Sequence, residues 1–296
     1  MDNPIIDPVA AADKYVEAVR EEVESLGLKI NILGLIASSD KPSVAYAKAT
    51  QRSFSSVGIH YDLRYVERLD LEKTIHEANA NERIHGIFIY FPVFYTGHDD
   101  YLRNQVDYRK DIEAGSIYWT RKLYANDRFA LDKEDPRKAL LPCTPLAIIK
   151  ILTEAGKYGQ GSSRPLEGKI VTIFNRSEVT GRPLAMMLSN DGARVYSFDI
   201  NGPLLFRDAE PSETEISRRE ALRQSDIVVT GVPSVDFQKI QRDEVKPNVV
   251  CINFSSVNNF SDDMAEHTSF YIPRIGPMTV AMCMRNSLRL YHNFHG

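Results

Sequence analysis

Two series of alternating strand-like and helix-like segments constrain the fold of this chain more than any other feature. The first series runs over residues 10–91 and the second over residues 146–254. In each series, short apolar runs such as 29–36 (KINILGLI) and 169–173 (KIVTI) alternate with segments whose apolar residues recur at helical spacing. Strands that alternate with helices form parallel sheets with helices packed on their faces. We therefore predict a two-lobed α/β fold.

The apolar pattern also predicts where each element and lobe lies. Helices are expected over 10–26, 43–57, 71–80, 146–155, 182–190, 214–224 and 278–292. Strands are expected over 29–36, 59–66, 86–91, 169–174, 193–199, 226–230 and 248–254. Between residues 96 and 140 the pattern weakens, which predicts loops and short helices. We predict one lobe over 1–145, a second over 146–277, and a closing helix, 278–296, that packs back on the first.

Composition narrows the class of partner. The chain has 36 basic and 40 acidic side chains spread along its length, with a net charge of -4, so no basic stripe favours nucleic acid or anionic lipid. The cysteines Cys143, Cys251 and Cys283 lie too far apart for the paired spacing of a zinc site. The sequence contains no apolar run of about 18 residues, so no membrane span is predicted, and the first residues do not resemble a presequence. We expect a cytoplasmic protein with small-molecule partners, no metal, no nucleic acid and no membrane.

One strand-to-helix turn, FNRSEVTGRPLA over 174–185, has the position of a nucleotide-binding turn but contains a single glycine, Gly181. Asn175 and Ser177 stand where two further glycines are usual. Such a turn still presents backbone N–H groups and the positive end of a helix dipole to a pyrophosphate. Taken alone, the turn is better interpreted as an ordinary strand-to-helix connection.

Three further strand ends favour a dinucleotide: the one at Asp199 and those that lead into residues 231–233 and 254–256. Asp199 ends the next predicted strand, where a carboxylate can accept hydrogen bonds from the adenosine ribose and would repel a ribose phosphate, so NAD is expected rather than NADP. The alternative is that Asp199 begins the turn at Asn201 and Gly202. The predicted cofactor-binding residues are Asn175, Arg176, Ser177, Gly181, Asp199, Ile200, Gly231, Val232, Pro233, Phe254, Ser255 and Ser256.

Six stretches, in order along nearly the whole chain, resemble the methylenetetrahydrofolate dehydrogenases of folate metabolism. They are SVAYAKAT, GIFIYFPV, KDIEAG, LPCTPLA, NRSEVTGRPLA and GPMTVAM. The chain is most similar to the monofunctional, NAD-dependent branch of that family, which is fungal. The resemblance implies an N-terminal α/β substrate lobe plus a Rossmann-like doubly wound NAD-binding domain, a folate substrate, NAD as cofactor, and a homodimer.

The resemblance also supplies a departure. The bifunctional members carry a lysine four residues after the tyrosine of SVAYAKAT, for hydrolysis of the methenyl product, whereas here Thr50 follows Tyr46. Residues four apart lie on one helix face. Tyr90 likewise stands where the bifunctional enzymes have glutamine. We therefore predict oxidation of the methylene bridge without hydrolysis. Because hydride removal from that bridge moves no proton, positioning and electrostatics suffice.

The remaining site residues follow from the resemblance. Tyr46 and Cys143 are the catalytic candidates, and Glu113 takes the place of an aspartate that binds the pterin. Each has a structural alternative: Tyr46 could pack the helix, Asp111 and Glu113 could be solvated, and Cys143 could be a buried thiol. The predicted substrate-binding residues are Tyr46, Thr50, Tyr90, Asp111, Glu113, Gly276 and Pro277.

Three rival functions stay open at this point. The first is a bifunctional dehydrogenase and cyclohydrolase in which another residue replaces the missing lysine. The second is a catalytically inactive folate- or nucleotide-binding protein that retains the fold. The third, a shikimate-type dehydrogenase, would need a lysine and aspartate pair for proton transfer, and the sequence offers none at suitable positions.

Overall fold

The computed structural model describes residues 7–159 and 161–296, which form two compact units. The first unit comprises Asp13–Cys143 and Val280–Gly296. The second comprises Thr144–Thr279 together with the N-terminal stretch through Ala12. The chain therefore passes from one unit to the other beside Cys143, two residues from the expected boundary, and again within the closing helix.

The first unit is built on a short parallel sheet. Its strands are β1 (Asn31–Ile36), β2 (His60–Tyr65) and β3 (Gly86–Ile89), in the order β2-β1-β3. The helices of this part of the chain are α1 (Pro8–Leu26), α2 (Lys41–Ser56), α3 (Leu71–Ala80), α4 (Gly97–Gln105) and α5 (Ile117–Tyr124). Leu33 and Leu35 of β1 pack with Ile75 of α3 and Leu102 of α4, so alternate sheet positions are sealed by helices.

Polar side chains set the ends of several elements in the first unit. Asp40 caps α2 by accepting a hydrogen bond from the Ser43 N–H at 3.0 Å. A hydrogen bond from the Ser38 hydroxyl, followed by those from Ser43, lowers the pKa of the Asp40 carboxyl to about 2. The Asp99 carboxylate accepts hydrogen bonds from the N–H groups of Val93, Phe94 and Tyr95, which holds the segment that follows β3.

The second unit contains a seven-stranded sheet in the order β10-β9-β8-β4-β5-β6-β7. The strands are β4 (Ile170–Phe174), β5 (Arg194–Asp199), β6 (Gly202–Arg207), β7 (Glu210–Glu213), β8 (Ile227–Thr230), β9 (Val250–Asn253) and β10 (Phe270–Ile272). Numbered among themselves, the parallel strands have the order 2-1-3-4-5, a common doubly wound arrangement. The helices are α6 (Cys143–Glu154), α7 (Gly181–Asn190), α8 (Arg218–Gln224), α9 (Met264–His267) and α10 (Gly276–Phe294).

The observed elements match the apolar pattern except at the two edges of this sheet. Strands β6 and β7 form an antiparallel hairpin that the pattern does not predict, and the helix expected over 214–224 begins only at Arg218. Strand β7 has the sequence EPSE and is exposed throughout, so it carries no apolar signal. The short strand β10 was also missed. Among the described residues, no helix combines the length and apolar character needed to cross a bilayer.

Candidate functional site

The turn after β4 uses side chains where a glycine-rich turn would use backbone freedom. Asn175 has a φ of 146°, a conformation that residues other than glycine rarely adopt. Its amide donates to the Gly231 carbonyl at 2.8 Å, and its amide oxygen accepts from the Ser177 N–H at 2.9 Å. The Ser177 hydroxyl in turn accepts from the Thr180 and Gly181 N–H groups. Asn175 and Ser177 therefore stabilise the turn directly.

Two glycines allow close backbone approach at this turn. A Cβ atom at Gly181 would lie 1.8 Å from the Asn175 carbonyl oxygen, and one at Gly231 would lie 1.9 Å from the Phe254 ring. The Gly231 N–H also donates to the Phe174 carbonyl at 2.9 Å, which joins the ends of β4 and β8. No larger residue fits at either position without movement of its neighbours.

Arg176 and Asp199 form an ion pair at the ends of β4 and β5. The Arg176 Nη2 to Asp199 Oδ1 distance is 2.5 Å, and Arg176 also donates to the Ser197 and Gly202 carbonyls at 2.8 and 3.0 Å. The Arg176 side chain is only 9% exposed. Asp199 Oδ1 accepts from the Asn201 N–H at 2.7 Å as well, so the acid does begin the β5–β6 turn. Its Oδ2 atom has no partner among the described residues.

The loops after β8 and β9 are joined to each other. The Val232 N–H donates to Asn259 Oδ1 at 3.0 Å, and the Ser255 hydroxyl donates to the Val232 carbonyl at 3.0 Å. Asn253, at the end of β9, donates to the Ser255 carbonyl. Asn253 lies at a predicted strand end but was not among the predicted cofactor-binding residues, and Asn259 was not predicted from the sequence. Three predicted cofactor residues, Ile200, Pro233 and Ser256, are exposed beside these groups and make none of these contacts.

All of these groups follow the carboxyl ends of β4, β5, β8 and β9. The chain leaves β4 for β5 on one side and reaches β8 on the other, so β4 and β8 flank the point where the strand order reverses. Open α/β sheets bind their ligands beyond the strand ends at this point. The second unit therefore carries a candidate nucleotide site. Gly276 and Pro277, predicted to bind substrate, begin α10 and also belong to the second unit.

The first unit contains a second candidate site, built around three tyrosines. The Tyr46 ring, on α2, meets the Tyr90 ring edge-on with 6.0 Å between centroids. The Tyr90 and Tyr61 hydroxyls are 2.8 Å apart. Tyr46 is 40% exposed whereas Tyr90 is 7% exposed. Burial is the main cause that raises the pKa of Tyr90 to about 12, and it also raises the pKa of Tyr61 above its usual range. Tyr61, on β2, was not predicted from the sequence.

Thr50 is buried beneath this cluster, one helical turn from Tyr46. It is 1% exposed, and its hydroxyl donates to the Tyr46 carbonyl at 3.0 Å. A side-chain hydrogen bond between Thr50 and Tyr90 also favours the ionised form of Tyr90, which lowers its pKa against the effect of burial. Lys48 is exposed. Through its hydrogen bond with Tyr90, Thr50 affects the ionisation of that tyrosine.

The KDIEAG segment supplies two carboxyl groups, of which Asp111 is buried and Glu113 is half-buried. Asp111 is 4% exposed and accepts a hydrogen bond from the Ser116 N–H at 2.8 Å, and burial raises its pKa. Burial is also the main cause that raises the pKa of Glu113 to about 8, followed by the negative charge of Asp111. Glu113 has no hydrogen-bond partner among the described residues. Asp111 is thus not the solvated residue of the alternative interpretation.

Lys110, the lysine of the same segment, has a structural role. Lys110 is 5% exposed, and it is the one lysine that is buried among the described residues. Its Nζ atom donates to the carbonyls of Ala78, Asn79 and Asn81 at 2.8–3.0 Å. All three ammonium hydrogens therefore stabilise the end of α3.

Cys143 is a buried thiol held by α10. Its Sγ atom donates to the Ile112 carbonyl at 3.4 Å and accepts from Asn286 Nδ2 at 3.3 Å. Asn286 also donates to the Ile112 and Leu141 carbonyls. Burial and then a hydrogen bond with Cys283 raise the pKa of Cys143, so the group is a neutral thiol near pH 7. Asn286 and Cys283 were missed in the sequence. A polar residue within the apolar run of α10 was the one available signal for Asn286.

Comparison with known proteins matches two parts of the chain to two domains of one family. A model of the tetrahydrofolate dehydrogenase/cyclohydrolase catalytic domain matches residues 6–113, and a model of the NAD(P)-binding domain of the same family matches residues 142–295. A methylenetetrahydrofolate dehydrogenase [NAD(+)] of Dictyostelium discoideum is 40% identical over 97% of this chain and 94% of its own.

Two further relatives extend the comparison. The solved structure of an NAD-dependent 5,10-methylenetetrahydrofolate dehydrogenase from Saccharomyces cerevisiae superposes with a TM-score of 0.92 at 38% identity, and the match covers 98% of both chains. A bifunctional protein FolD of Acholeplasma laidlawii is 26% identical over 97% of this chain and 98% of its own. The similarity is therefore greater to the proteins named NAD-dependent dehydrogenases than to this bifunctional one.

Proposed function

We propose, because this chain belongs to the tetrahydrofolate dehydrogenase/cyclohydrolase family, that it oxidises methylenetetrahydrofolate to methenyltetrahydrofolate by hydride transfer to NAD. The relatives that are about 40% identical to it are named NAD-dependent dehydrogenases, and the match covers nearly the whole of each chain. The chain is an oxidoreductase of folate one-carbon metabolism. The inactive binding protein and the shikimate-type dehydrogenase are not favoured by any of these similarities.

The pairing of Arg176 with Asp199 is the observation that carries the choice of NAD. When bound, NAD accepts a hydride from the substrate. The residues proposed to hold it are the 175–177 turn, Gly181, Asp199 and the loops at 231–233 and 254–256. These residues fit a dinucleotide because they follow the carboxyl ends of β4, β5, β8 and β9, on both sides of the point where the strand order reverses. Asp199 also neutralises the charge of Arg176, so this arginine is not free to pair with a ribose phosphate.

Cofactor choice is tested by comparing kcat/KM for NAD and NADP in the wild type and in Asp199→Ser. We expect the wild type to prefer NAD. In the variant, Arg176 loses its carboxylate partner, and the ratio should move towards NADP by about tenfold or more, which corresponds to a charge-assisted hydrogen bond. A wild type that prefers NADP would contradict the assignment of Asp199.

We further propose that the protein does not hydrolyse the methenyl product. Hydrolysis must activate a water and move its proton. Around Tyr46, burial raises the pKa values of the two buried tyrosine hydroxyls, and the Thr50 hydroxyl donates to its own helix. The buried ammonium of Lys110 is bonded to three carbonyls. These contacts support the absence of a proton relay.

Decay of methenyltetrahydrofolate in the presence of purified protein tests this part of the proposal. We expect the rate to equal that in buffer alone, while the same preparation forms NADH from methylenetetrahydrofolate and NAD. Decay well above the buffer rate would support the bifunctional alternative instead. Thr50→Val removes the hydroxyl without adding a cation, and it should leave the decay rate at the buffer value.

Glu113 and Tyr46 are the residues that we propose to contact the folate directly. Tyr46 presents an exposed aromatic face, and Glu113 offers a carboxyl without a partner of its own. A carboxylate suits the amino-pyrimidine donors of a pterin. Cys143 and Asn286 would then act by holding the 112–113 segment that carries Glu113. We also propose that the protein is a cytoplasmic homodimer, which sedimentation of the purified protein and imaging of the tagged chain would test.

A further inference from the structure

A cavity of about 470 Å³ lies in the first unit against α10, and its charged lining is mostly positive. Arg137, Lys138, Arg285 and Arg289 contribute four cationic groups, and Glu22 and His292 form the remaining charged or titratable part. Cavities of this size commonly hold small molecules. The excess of cations indicates that a ligand here would be an anion.

Some of this charge is already neutralised within the protein. Arg137 pairs with Asp135 at 2.5 Å, and the single carboxylate of the lining, Glu22, accepts from His292 at 2.8 Å. Lys138 lies over the Phe129 ring and forms no ion pair with a carboxylate of the described residues. The positive charge that remains in the cavity lining is therefore that of Lys138, Arg285 and Arg289.

Arg285 and Arg289 lie one turn apart on α10, so their like charges face the same cavity. Neither pairs with a carboxylate in the described part of the chain. Arg289 makes one long hydrogen bond, to the Ala139 carbonyl at 3.4 Å. Burial and then the charge of Arg285 lower the pKa of Arg289, which means that its protonated form is destabilised as the site stands. A bound anion would offset both the burial of Arg289 and its repulsion by Arg285.

This cavity is separate from the site around Tyr46. Each residue of an α-helix advances by about 100°, so Arg285 lies about 200° and Arg289 about 240° around α10 from Cys283. Cys283 and Asn286 face Cys143, whereas Arg285 and Arg289 line the cavity. The catalytic assignment of the first unit therefore leaves these two arginines unexplained.

We propose that the cavity lined by Lys138, Arg285 and Arg289 binds a small anion of the phosphate class with at least two negative charges. Guanidinium groups present planar pairs of N–H donors that match the oxygens of a phosphoryl group. The two arginines supply such donors from one helix face, and Lys138 supplies a third positive charge. Inorganic pyrophosphate and an organic phosphate ester share this chemistry.

Calorimetric titration with inorganic pyrophosphate tests the proposal. The protein is kept saturated with NAD so that the nucleotide site is filled, and sodium chloride holds the ionic strength constant. We expect wild-type protein to bind pyrophosphate, and the double variant Arg285→Gln/Arg289→Gln to bind it about tenfold more weakly or worse, since two charge-assisted contacts are lost. A phosphate monoester titrated in parallel distinguishes the two sources of the anion.

The matched control is Arg219→Gln/Arg223→Gln. These arginines have the same spacing on α8, are exposed, and remove the same total charge from the protein. The control should bind pyrophosphate as the wild type does. Absence of wild-type binding, or an equal loss in the control, would overturn the proposal. Should the first double variant fail to fold, the single change Arg285→Gln decides, because the Arg285 side chain makes no hydrogen bond or ion pair within residues 7–159 and 161–296.

Discussion

Replacing Glu113 by glutamine should change how the stability of this protein depends on pH. Burial and the charge of Asp111 raise the pKa of Glu113 from 4.5 to about 8 in the folded protein. Between these values the folded chain keeps a proton that the unfolded chain has released. The free energy of unfolding therefore falls by about 1.4 kcal/mol for each pH unit of that interval, or about 5 kcal/mol in total. Glutamine does not titrate, so the variant should escape this loss.

Urea denaturation of both proteins near pH 5 and near pH 8.5 measures the effect. The unfolding free energy of Glu113→Gln minus that of the wild type should rise by about 4 kcal/mol from the acidic to the alkaline condition, since these two pH values span most of that interval. Glu24→Gln, which alters an exposed glutamate on α1, is the control and should show no comparable rise. An equal difference at both pH values for Glu113→Gln would refute the claim that the folded protein holds this proton.

The same proton bears on substrate binding. An ionised Glu113 accepts hydrogen bonds, whereas its protonated form has lost part of that capacity. The KM of the wild type for methylenetetrahydrofolate should therefore fall as pH rises through about 8, while the KM of Glu113→Gln should change little. Initial rates of NADH formation across this range give both profiles. A wild-type KM that rises with pH would contradict the proposed role of the carboxylate.

Three further substitutions test particular contacts. Asp99→Ala removes the acceptor for three backbone N–H groups and should cost about 3 kcal/mol in urea denaturation, whereas exposed Asp100→Ala should cost less than about 1 kcal/mol. Gly231→Ala forces a Cβ into the Phe254 ring and should weaken NAD binding by at least about tenfold in a fluorescence titration, unlike Gly97→Ala, whose Cβ meets nothing. Tyr61→Phe removes the 2.8 Å hydrogen bond between the Tyr61 and Tyr90 hydroxyls and should cost about 1 kcal/mol.

The elements that could be predicted from the sequence are those with buried faces. Apolar runs placed β1, β4, β5, β8 and β9 to within two residues at each end, because strands covered by helices on both faces must be apolar. The β6–β7 hairpin gave no such signal. Strand β7 is held at the sheet edge by backbone pairing with β6, and backbone hydrogen bonds leave no pattern in side-chain hydrophobicity.

Site residues could likewise be predicted from their local position in the sequence, but not where their role depends on contacts with distant parts of the chain. Asn175 and Asp199 could be singled out because each follows a strand end, where a doubly wound sheet binds its ligand. The ion pair between Arg176 and Asp199 could not, since it depends on two strands being neighbours and on the rotamers of both side chains. Tyr61 and Asn286 were missed because apolar periodicity marks a buried position without indicating that a polar atom there has found its partner.

The polar groups around Tyr46 share one property that suits the proposed reaction. Burial raises the pKa values of Tyr90 and Cys143, so both are neutral near pH 7, and Lys110 directs its charge to the end of α3. Removing a hydride from the methylene bridge leaves a cation shared by two nitrogens, and an ammonium beside it would oppose its formation. Because the one buried ammonium of this segment is held by the carbonyls at the end of α3, the polar groups around Tyr46 suit oxidation of the bridge.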